Sequence, residues 1–364
     1  MTAGNPPTSY ADLGCAGLDR ALTALEFEPG RRARMVERLR ALVSPWGGDP
    51  VTGLGGHFSY ASSDGAPLEL GVAWSRRGVE VRAYYEPLGT PPTPESNQDT
   101  SVAATRDLAR HPGVVLDDYL QVEDLFLAPR PEGPFSVLDA VLWDEDGTPW
   151  FKAYLNPRAH GVDLAGKVLA EAAGRLGIGP AWTVAADRYA RDHGDRAPTL
   201  FALDLVPRDR ARVKVYFTHA GVDAAGIERF AACAAEHEPG SVARLCRELL
   251  GTDGPYPGKP PITALVFRPG DPVPRSTVSY FPLCPNVSDD AVAAGRVTAL
   301  LRATGVDPTS YLAALDALAV GSPATSRVQT YVGYRGGADP RVSVYFATGA
   351  FGGVPRPGSG EESA

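Results

Sequence analysis

The sequence predicts an α+β protein in which ten antiparallel strands, built as five ααββ units, close into a barrel with the helices outside. Three observations support this fold class: a tyrosine-centred strand motif occurs five times, a second strand-like segment precedes each copy, and helical patterns separate the pairs. A fixed repeat of this kind is typical of stacked or radially arranged copies of one supersecondary unit. Closure into a barrel removes the unpaired edges that so many antiparallel strands would otherwise expose.

The repeated motif is clearest in RVKVYF at 212–217. Successive side chains of a strand point to opposite faces, so Arg212, Lys214 and Tyr216 share one face and the apolar residues share the other. The tyrosines of the five copies are 70, 62, 64 and 65 residues apart. The other copies are VEVRAYY at 79–85, WFKAYL at 150–155, STVSYF at 276–281 and RVSVYF at 341–346.

Each copy follows a second β-rich segment, and the short turn-prone gap between the two predicts a hairpin. The gap SRRG and the gap DEDGTP, with its Asp-Gly step, are of this kind. The five preceding segments are LELGVAW at 68–74, FSVLDAVLW at 135–143, TLFALDL at 199–205, ITALVF at 262–267 and VQTYVGY at 328–334.

Helical periodicity occupies the sequence between the hairpins. The predicted helical segments are Ala21 to Leu42 with a break around Pro29-Gly30, Val162 to Leu176, Ala224 to Leu250, Asp290 to Leu301, and Tyr311 to Leu318. These helices need an apolar surface to cover, so the apolar strand face should point outward and the polar face inward. A ten-stranded barrel is too wide for side chains alone to fill, so we expect a ligand cavity.

The composition of the 364 residues narrows the classes of partner. A net charge of −8 argues against nucleic acid and against acidic membranes as binding partners. The four cysteines are scattered without metal-ligand spacing, which indicates reduced thiols in a cytoplasmic protein. We expect one barrel domain over residues 1–350, a disordered tail over 351–364, and a monomer or homodimer.

The inward face of the motif suggests what the cavity binds. Buried cations are costly unless they are paired, and a diphosphate is a suitable partner for a cluster of Arg and Lys donors. Tyrosines add hydroxyl donors and π faces that can stabilise a carbocation. This combination predicts allylic diphosphate chemistry, whereas the alternative is a set of strands whose charged faces are solvated. The cations are Arg82, Lys152, Arg212, Lys214 and Arg341, and the tyrosines are Tyr84, Tyr154, Tyr216, Tyr280 and Tyr345.

These segments resemble the aromatic prenyltransferases of the dimethylallyltryptophan synthase type, whose ABBA (PT) barrel has five such units. The resemblance covers residues 18–348, and its most specific pieces are PLEL at 67–70, VEVRAYYEP, FKAYLNP, RVKVYF and RVSVYF. PEGPFSVLDAVLW at 131–143 and QVEDLFL at 121–127 are similar to bacterial members in particular. The resemblance implies transfer of a prenyl group, in the first place dimethylallyl, from its diphosphate to the indole of tryptophan or a tryptophan-derived compound. Because the cations of the cavity already neutralise a diphosphate, we expect no required metal, with Mg²⁺ at most stimulatory.

The resemblance also assigns roles to residues. Glu69 matches the glutamate that accepts a hydrogen bond from the indole N–H; the alternative is a structural carboxylate that pairs with the neighbouring cations. Arg341 replaces a tyrosine of fungal relatives and could contact phosphate itself, and Val278 replaces a glutamine. The lysine base of 4-prenylating fungal members would fall near Asp139, which argues against a C4 product. The diphosphate-binding positions are Arg82, Lys152, Tyr154, Arg212, Lys214, Tyr216, Tyr280, Arg341 and Tyr345.

Three other functions stay open at this point: geranyl transfer to an indolactam-like indole, prenylation of a phenolic acceptor, and a non-catalytic barrel that binds an isoprenoid. LDDYLQVED at 116–124 lacks the spacing of an aspartate-rich magnesium motif and is interpreted as a helix end and turn. PLGTPPTPESNQDT at 87–100 is interpreted as a loop, either over the barrel mouth or on the surface.

Overall fold

A computed structural model describes residues 8–51, 58–194, 196–256, 258–319 and 321–349. The predicted tail at 351–364 lies outside the described residues. Ten strands run from residue 68 to residue 347: β1 Leu68–Ser75, β2 Gly78–Tyr85, β3 Val137–Trp143, β4 Pro149–Leu155, β5 Leu200–Asp204, β6 Val213–Thr218, β7 Ile262–Phe267, β8 Ser276–Pro282, β9 Gln329–Arg335 and β10 Arg341–Ala347.

The strands form one closed antiparallel barrel. Each strand pairs with its neighbours in the chain, and β1 pairs with β10 to close the sheet, with Gly71 opposite Tyr345. The five hairpins predicted from the sequence are therefore confirmed, as is the closure. Each hairpin turn joins two antiparallel strands at one end of the barrel. The chain therefore enters and leaves every hairpin at the opposite end, where the connections between hairpins lie.

Ten α-helices are present in the described ranges: α1 Tyr10–Ala24, α2 Pro29–Gly47, α3 Pro94–Asp107, α4 Asp117–Leu120, α5 Ala165–Arg175, α6 Gly179–His193, α7 Ala224–Ala231, α8 Ser241–Leu245, α9 Asp290–Ala303 and α10 Thr309–Leu318. The predicted break at Pro29 is confirmed, because Pro29 is the first residue of α2 and Glu28 accepts hydrogen bonds from the next two backbone N–H groups. None of the helices in the described ranges is long and apolar enough to cross a membrane.

Two sequence predictions about the connections were wrong. The segment 87–100 is not a loop throughout, because α3 begins at Pro94. Thr93 and Ser96 form a reciprocal capping box there, which starts a helix despite the poor helical composition. The region 224–250 is not one helix, because the carboxylate of Glu228 accepts backbone hydrogen bonds from Gly240 and Val242 at 2.6 and 2.9 Å and so starts a new helix, α8. Helix α6 was not predicted.

The outward strand faces and the helices form one apolar layer around the barrel. Phe217 of β6 is fully buried there. Its ring centroid lies 4.8 Å from that of Phe230 on α7 and 4.9 Å from that of Tyr189 on α6. Val213 and Val215 belong to the same cluster. The apolar face of RVKVYF therefore points outward, as predicted, and its polar face points into the barrel.

Asp139 is a buried acid in this outer layer rather than in the barrel interior. It lies on β3 with the outward residues, and its Oδ1 is 2.9 Å from Thr105 Oγ1 on α3. Thr105 has one hydroxyl proton, and its Oγ1 lies 3.0 Å from the carbonyl oxygen of Ser101, to which it can donate that proton. A protonated Asp139 can then donate to Thr105 Oγ1, and each of these groups has a hydrogen-bond partner. Burial raises the pKa of Asp139 to about 8, in agreement with this arrangement.

We predict that Asp139→Asn stabilises the protein at alkaline pH. A carboxyl group whose folded-state pKa is raised contributes stability below its unfolded pKa, and this contribution is lost as pH rises towards about 8. The amide keeps the hydrogen bond to Thr105 and does not ionise. Urea unfolding should therefore give the variant an advantage of about 1 kcal/mol or more at pH 8, and a smaller one at pH 5. Asp187→Asn, at an exposed position on α6, is the control, and an equal shift in both variants would contradict the prediction.

Candidate active site

Five tyrosines form a ring across the inside of the barrel, and we call them the tyrosine ring. Each one comes from an even-numbered strand and has its ring centroid 5.5 to 6.2 Å from those of its two neighbours. The ring therefore closes completely around the interior. Its members are Tyr84, Tyr154, Tyr216, Tyr280 and Tyr345.

Small residues on the odd-numbered strands leave space for the five tyrosine side chains. Each tyrosine is paired across the sheet with a glycine or alanine: Tyr84 with Ala140, Tyr154 with Ala202, Tyr216 with Ala264, Tyr280 with Gly333, and Tyr345 with Gly71. Alternation of large and small side chains is the way in which a barrel interior is filled around its circumference. The arrangement repeats five times, so it follows directly from the repeat of the sequence.

The tyrosine ring divides the interior into two cavities. The first, on the side of the hairpin turns, has a volume of about 700 Å³ and is lined by charged residues; we call it the basic chamber. The second, on the opposite side, has a volume of about 460 Å³ and is lined mainly by aromatic and aliphatic residues; we call it the apolar chamber. Tyr280 lines both.

The predicted cations lie in the basic chamber, in two layers below the tyrosine ring. Arg82, Lys152 and Lys214 precede their tyrosines by two residues, and Arg212 and Arg341 precede theirs by four. All five line the cavity. Strand β8 contributes Ser276 and Val278 at the equivalent positions, so one wall of the chamber carries no charge from its even-numbered strand.

Two buried carboxylates, which the sequence analysis missed, hold four of these cations. Glu80 forms ion pairs with Arg82 at 2.6 Å and with Arg341 at 2.8 Å. Burial by itself would raise the pKa of Glu80, but these two guanidinium groups lower it to about 2. The strand alternation could have identified Glu80, because it lies two residues before Arg82 on the same face.

Asp204 has the same role on the neighbouring wall. It forms ion pairs with Lys152 at 2.9 Å and with Arg212 at 2.6 Å. The two cations lower the pKa of Asp204 to about 2, against the effect of burial. The indole of Trp150, also missed, lies beside the same cations, with its ring centre 5.0 Å from Lys152 Nζ.

Lys214 is the predicted cation that the carboxylates do not neutralise. No hydrogen bond or ion pair to Lys214 occurs among the residues that the structure describes. Burial, followed by repulsion from Lys152 and Arg212, lowers its pKa well below the ordinary lysine value. Among the described residues that line the basic chamber, nine are arginine or lysine and five are aspartate or glutamate, so the chamber is suited to a multiply charged anion.

The tyrosine ring borders the basic chamber with hydroxyl groups. Arg82 Nη1 donates to the hydroxyl oxygen of Tyr345 at 3.1 Å, and the hydroxyl of Tyr84 lies 3.4 Å from that of Tyr345. Burial raises the pKa of Tyr154, Tyr216 and Tyr345 well above the ordinary value. These phenols are therefore neutral and can donate hydrogen bonds.

Glu69 lies in the apolar chamber, which corrects one expectation from the sequence. The tyrosine ring separates it from the arginine and lysine cluster, so it neither lies beside those cations nor pairs with them. Its Oε1 accepts a hydrogen bond from Thr330 Oγ1 at 2.8 Å. Burial raises the pKa of Glu69 to about 8, Asp64 adds to this rise, and Thr330 and Lys259 oppose it.

The rest of the apolar chamber consists of aromatic and aliphatic walls. The side chain of Leu138 lines it on β3, and Tyr60 stacks on Phe135 beside it with ring centroids 5.2 Å apart. Thr330 and Lys259 were not identified from the sequence, because Thr330 lies near the start of β9, Lys259 lies in the segment before β7, and neither belongs to the repeated pattern. A flat, mostly apolar molecule with one N–H donor would fit the combination of these walls with Glu69.

Comparison with known proteins identifies the class of this barrel. The model of the tryptophan dimethylallyltransferase family matches residues 17–314. A 6-dimethylallyl tryptophan synthase is 28% identical over 97% of this chain and 100% of that one, with a TM-score of 0.88. The 6-dimethylallyltryptophan synthase from Micromonospora olivasterospora, solved with DMASPP and Trp, is 27% identical over 96% of this chain and 99% of that one, with a TM-score of 0.89.

A third structure is that of the prenyltransferase PriB in a ternary complex with L-tryptophan and dimethylallyl thiolodiphosphate. It is 25% identical over 96% of this chain and 99% of that one, with a TM-score of 0.85. The barrel and its two chambers thus define an aromatic prenyltransferase with the ABBA (PT) fold. The chain belongs to the tryptophan dimethylallyltransferase family, and its structural relatives include bacterial members.

We predict that inorganic diphosphate binds in the basic chamber and that Lys214→Met weakens this binding. A charge-assisted hydrogen bond contributes about 1.5–3 kcal/mol, so the dissociation constant should rise by about tenfold or more. Isothermal titration calorimetry in the presence of EDTA measures it. Lys167→Met, the same substitution at an exposed position on α5, should bind as the wild type does; equal dissociation constants for all three proteins would contradict the prediction.

Proposed function

We propose that this enzyme transfers a dimethylallyl group from dimethylallyl diphosphate to the indole ring of tryptophan or a closely related tryptophan derivative, without a required metal ion and through an allyl cation. The observation that carries the proposal is the tyrosine ring, which separates a cation-rich chamber from an apolar chamber with a single carboxylate, Glu69, on its described wall. Relatives solved with tryptophan and an allyl thiolodiphosphate support both substrates.

In this mechanism the basic chamber holds the diphosphate of the donor. Arg82, Lys152, Arg212, Lys214 and Arg341 face it, and the hydroxyl groups of Tyr154, Tyr216, Tyr280 and Tyr345 add neutral donors. Ionisation breaks the bond between the allylic carbon and the diphosphate oxygen, and the electron pair leaves with the diphosphate. Fixed cations stabilise that developing charge without reorganisation, which is the main source of catalysis in such sites.

The allyl group then lies at the level of the tyrosine ring. Aromatic faces stabilise a nearby cation electrostatically, and closely packed rings exclude the water that would trap it as an alcohol. The centroid distances of 5.5 to 6.2 Å between adjacent rings leave the five tyrosines in mutual contact. This packing supports protection of the allyl cation from water.

The acceptor indole occupies the apolar chamber, where Glu69 accepts a hydrogen bond from its N–H. This bond orients the ring and raises its electron density as a ring atom attacks the allyl cation. The attacked position then loses its proton to solvent or to the released diphosphate, which restores the aromatic system. Only the ionised form of Glu69 offers a charged acceptor, so the raised pKa of this residue makes the step pH-dependent.

The charges in the basic chamber support a reaction without an essential metal ion. A diphosphate that is not bound to magnesium needs compensating positive charge, and the nine cations that stand against five carboxylates on the described wall of the basic chamber can supply it. We therefore propose that Mg²⁺ is at most stimulatory. We also propose a cytoplasmic monomer or homodimer, which is supported by the four cysteines without disulfides and by a lumen that one chain encloses.

The direct test is incubation of the protein with dimethylallyl diphosphate, L-tryptophan and EDTA. We expect a product heavier than tryptophan by one prenyl unit in liquid chromatography–mass spectrometry, and nuclear magnetic resonance then gives the position of attack. Geranyl diphosphate and a phenolic acceptor run in parallel test the other donors and acceptors. Activity that appears only after Mg²⁺ is restored would overturn the metal-independent mechanism. Diphosphate binding without a product from any indole would indicate a carrier.

Glu69→Gln should lower kcat/KM for tryptophan by about 100-fold, the lower range for loss of a positioned acid–base group. In the wild type, kcat/KM should increase as pH rises through about 8, because the protonated carboxyl group is the weaker acceptor. The variant should lack this increase. Its affinity for inorganic diphosphate should be unchanged, because the tyrosine ring separates Glu69 from the basic chamber. Full activity with an unaltered pH profile would refute the role of Glu69.

A further inference from the structure

Strand β9 places an arginine in the basic chamber that the repeated motif does not predict. Arg335 is the last residue of β9 and lines the chamber. It follows Gly333 by two residues on the same strand face, and a Cβ atom at Gly333 would meet the ring of Tyr280 inside the barrel. The motif belongs to the even-numbered strands, so Arg335 has no counterpart in it and needs its own explanation.

The position of Arg335 is electrostatically unfavourable. Its Cα partner across the sheet is Arg341 on β10, and like charges directly opposite each other destabilise a sheet. Burial, followed by repulsion from Arg341, Arg212 and Arg82, lowers the pKa of Arg335 from the ordinary arginine value. Its guanidinium group thus shares the chamber with three other cations that repel it.

No acid of the described chain compensates this charge by direct contact. Arg335 makes no hydrogen bond or ion pair with any described residue. Asp339 attracts it through space, but Asp339 lies in an ion pair with Arg77 at 3.2 Å. Arg341 is only partly satisfied, because its Nη1 donates to Glu80 Oε2 at 2.8 Å whereas its buried Nε has no hydrogen-bond partner within the described ranges. Two opposed arginines with unused donors form an arrangement that binds an anion.

The adjacent wall of the chamber lacks a cation of its own. Strand β8 pairs with β9 so that Ser279 lies opposite Tyr334. The next step of this antiparallel register brings Val278 beside Arg335, and Val278 occupies the motif position that is arginine or lysine on β2, β4 and β6. Arg335 thus supplies, from the neighbouring strand, a charge that β8 does not provide.

The motif cations lie at two levels, and a diphosphate donor can reach both. A step of two strand residues is about 6.6 Å, and the tilt of barrel strands reduces it to about 5 Å along the barrel axis. An allyl group at the tyrosine ring would put the phosphate that carries it at the level of Lys214, two residues before its tyrosine. The terminal phosphate would lie one level further out, where Arg341 precedes its tyrosine by four residues and has Arg335 as its cross-strand partner.

We infer that Arg335, together with Arg341, binds the terminal phosphate group of the donor and so makes the chamber specific for a diphosphate over a monophosphate. This inference rests on the proposed function, because it concerns the donor of the same reaction. When the allylic carbon–oxygen bond breaks, its electron pair stays on the phosphate next to the allyl group. Cations on the terminal phosphate let that charge spread over both phosphate groups. Arg335 is thus a residue that determines donor specificity.

A simpler role for Arg335 would be to add to the overall positive charge of the chamber. Arg275 provides a matched control for that role, because it also lines the chamber but is half-exposed and forms an ion pair with Glu236 at 2.9 Å. Loss of either arginine removes one charge from the chamber lining. A general effect of charge would therefore appear in both variants, whereas a contact with the terminal phosphate would be lost only with Arg335.

The experiment compares wild type, Arg335→Met, Arg275→Met and Lys214→Met by isothermal titration calorimetry with EDTA and without an acceptor. The ligands are dimethylallyl thiolodiphosphate and dimethylallyl monophosphate, and displacement titrations measure the weaker of the two. For Arg335→Met we expect the dissociation constant of the thiolodiphosphate to rise by about tenfold or more and that of the monophosphate by less than about threefold. Lys214→Met should weaken both ligands, and Arg275→Met should match the wild type.

Thermal unfolding of the ligand-free variants separates binding from a structural contact. Removal of a cation that lies opposite another cation relieves repulsion between β9 and β10. The free Arg335→Met protein should therefore have a Tm equal to or higher than that of the wild type, although it binds the thiolodiphosphate less tightly. Arg335→Lys keeps the charge and should retain part of the preference for the diphosphate.

Three binding results would overturn the inference: an unchanged dissociation constant of the thiolodiphosphate in Arg335→Met, an equal loss for both ligands, or an equal loss in Arg275→Met. A lower Tm of Arg335→Met with weaker binding of both ligands would likewise overturn it and indicate a structural contact. The titrations need no acceptor, so they decide the role of Arg335 even if the protein prenylates no indole. Absence of a product would then count against the proposed function alone.

Discussion

The closed tyrosine ring is the constraint on which the rest of this structure depends. Five phenol rings fit at one level because the paired position on the next strand is always glycine or alanine. A Cβ atom at Gly333 would lie 3.2 Å from the ring of Tyr280, and one at Gly71 would lie 3.4 Å from that of Tyr345. The tyrosine ring occupies the full width of the barrel interior. It thereby separates the basic chamber from the apolar chamber.

The two chambers differ because the five repeats have diverged on either side of the ring. Below it, Glu80 and Asp204 each hold two cations at 2.6 to 2.9 Å, which keeps mutually repelling groups at fixed positions. Partial neutralisation makes burial of these charges possible while the described lining of the chamber retains an excess of basic residues. Above the ring, burial and the neighbouring Asp64 raise the pKa of Glu69 to about 8, although Lys259 opposes this rise. Inward-facing strand residues thus provide an anion site on one side of the ring and a weakly acidic hydrogen-bond acceptor on the other.

This separation has a chemical consequence for a prenyl transfer. The leaving group and the nucleophile need opposite environments, since a diphosphate requires cations and an electron-rich indole that attacks a cation does not benefit from them. A ring of neutral aromatic residues between the two keeps each environment intact and leaves the allyl group in contact with both. Burial raises the pKa of these phenols and keeps them protonated, so they can donate hydrogen bonds to an anion in the basic chamber.

The sequence by itself determined the hairpins, the inward direction of Arg82, Lys152, Arg212 and Lys214, and the family, because strand alternation has a period of two residues and the repeat makes it visible five times. It did not determine that Glu80 and Asp204 hold these cations, that the tyrosine ring separates Glu69 from them, or that Lys259 lies near Glu69. Most of those relations join residues on different strands, such as Glu80 with Arg341 and Lys152 with Asp204, and only the pairing register and the closure of β1 on β10 bring these residues together. Asp139 makes the same point: its neighbours in the sequence suggest a strand, but only packing against Thr105 on α3 decides that it faces outward and stays protonated.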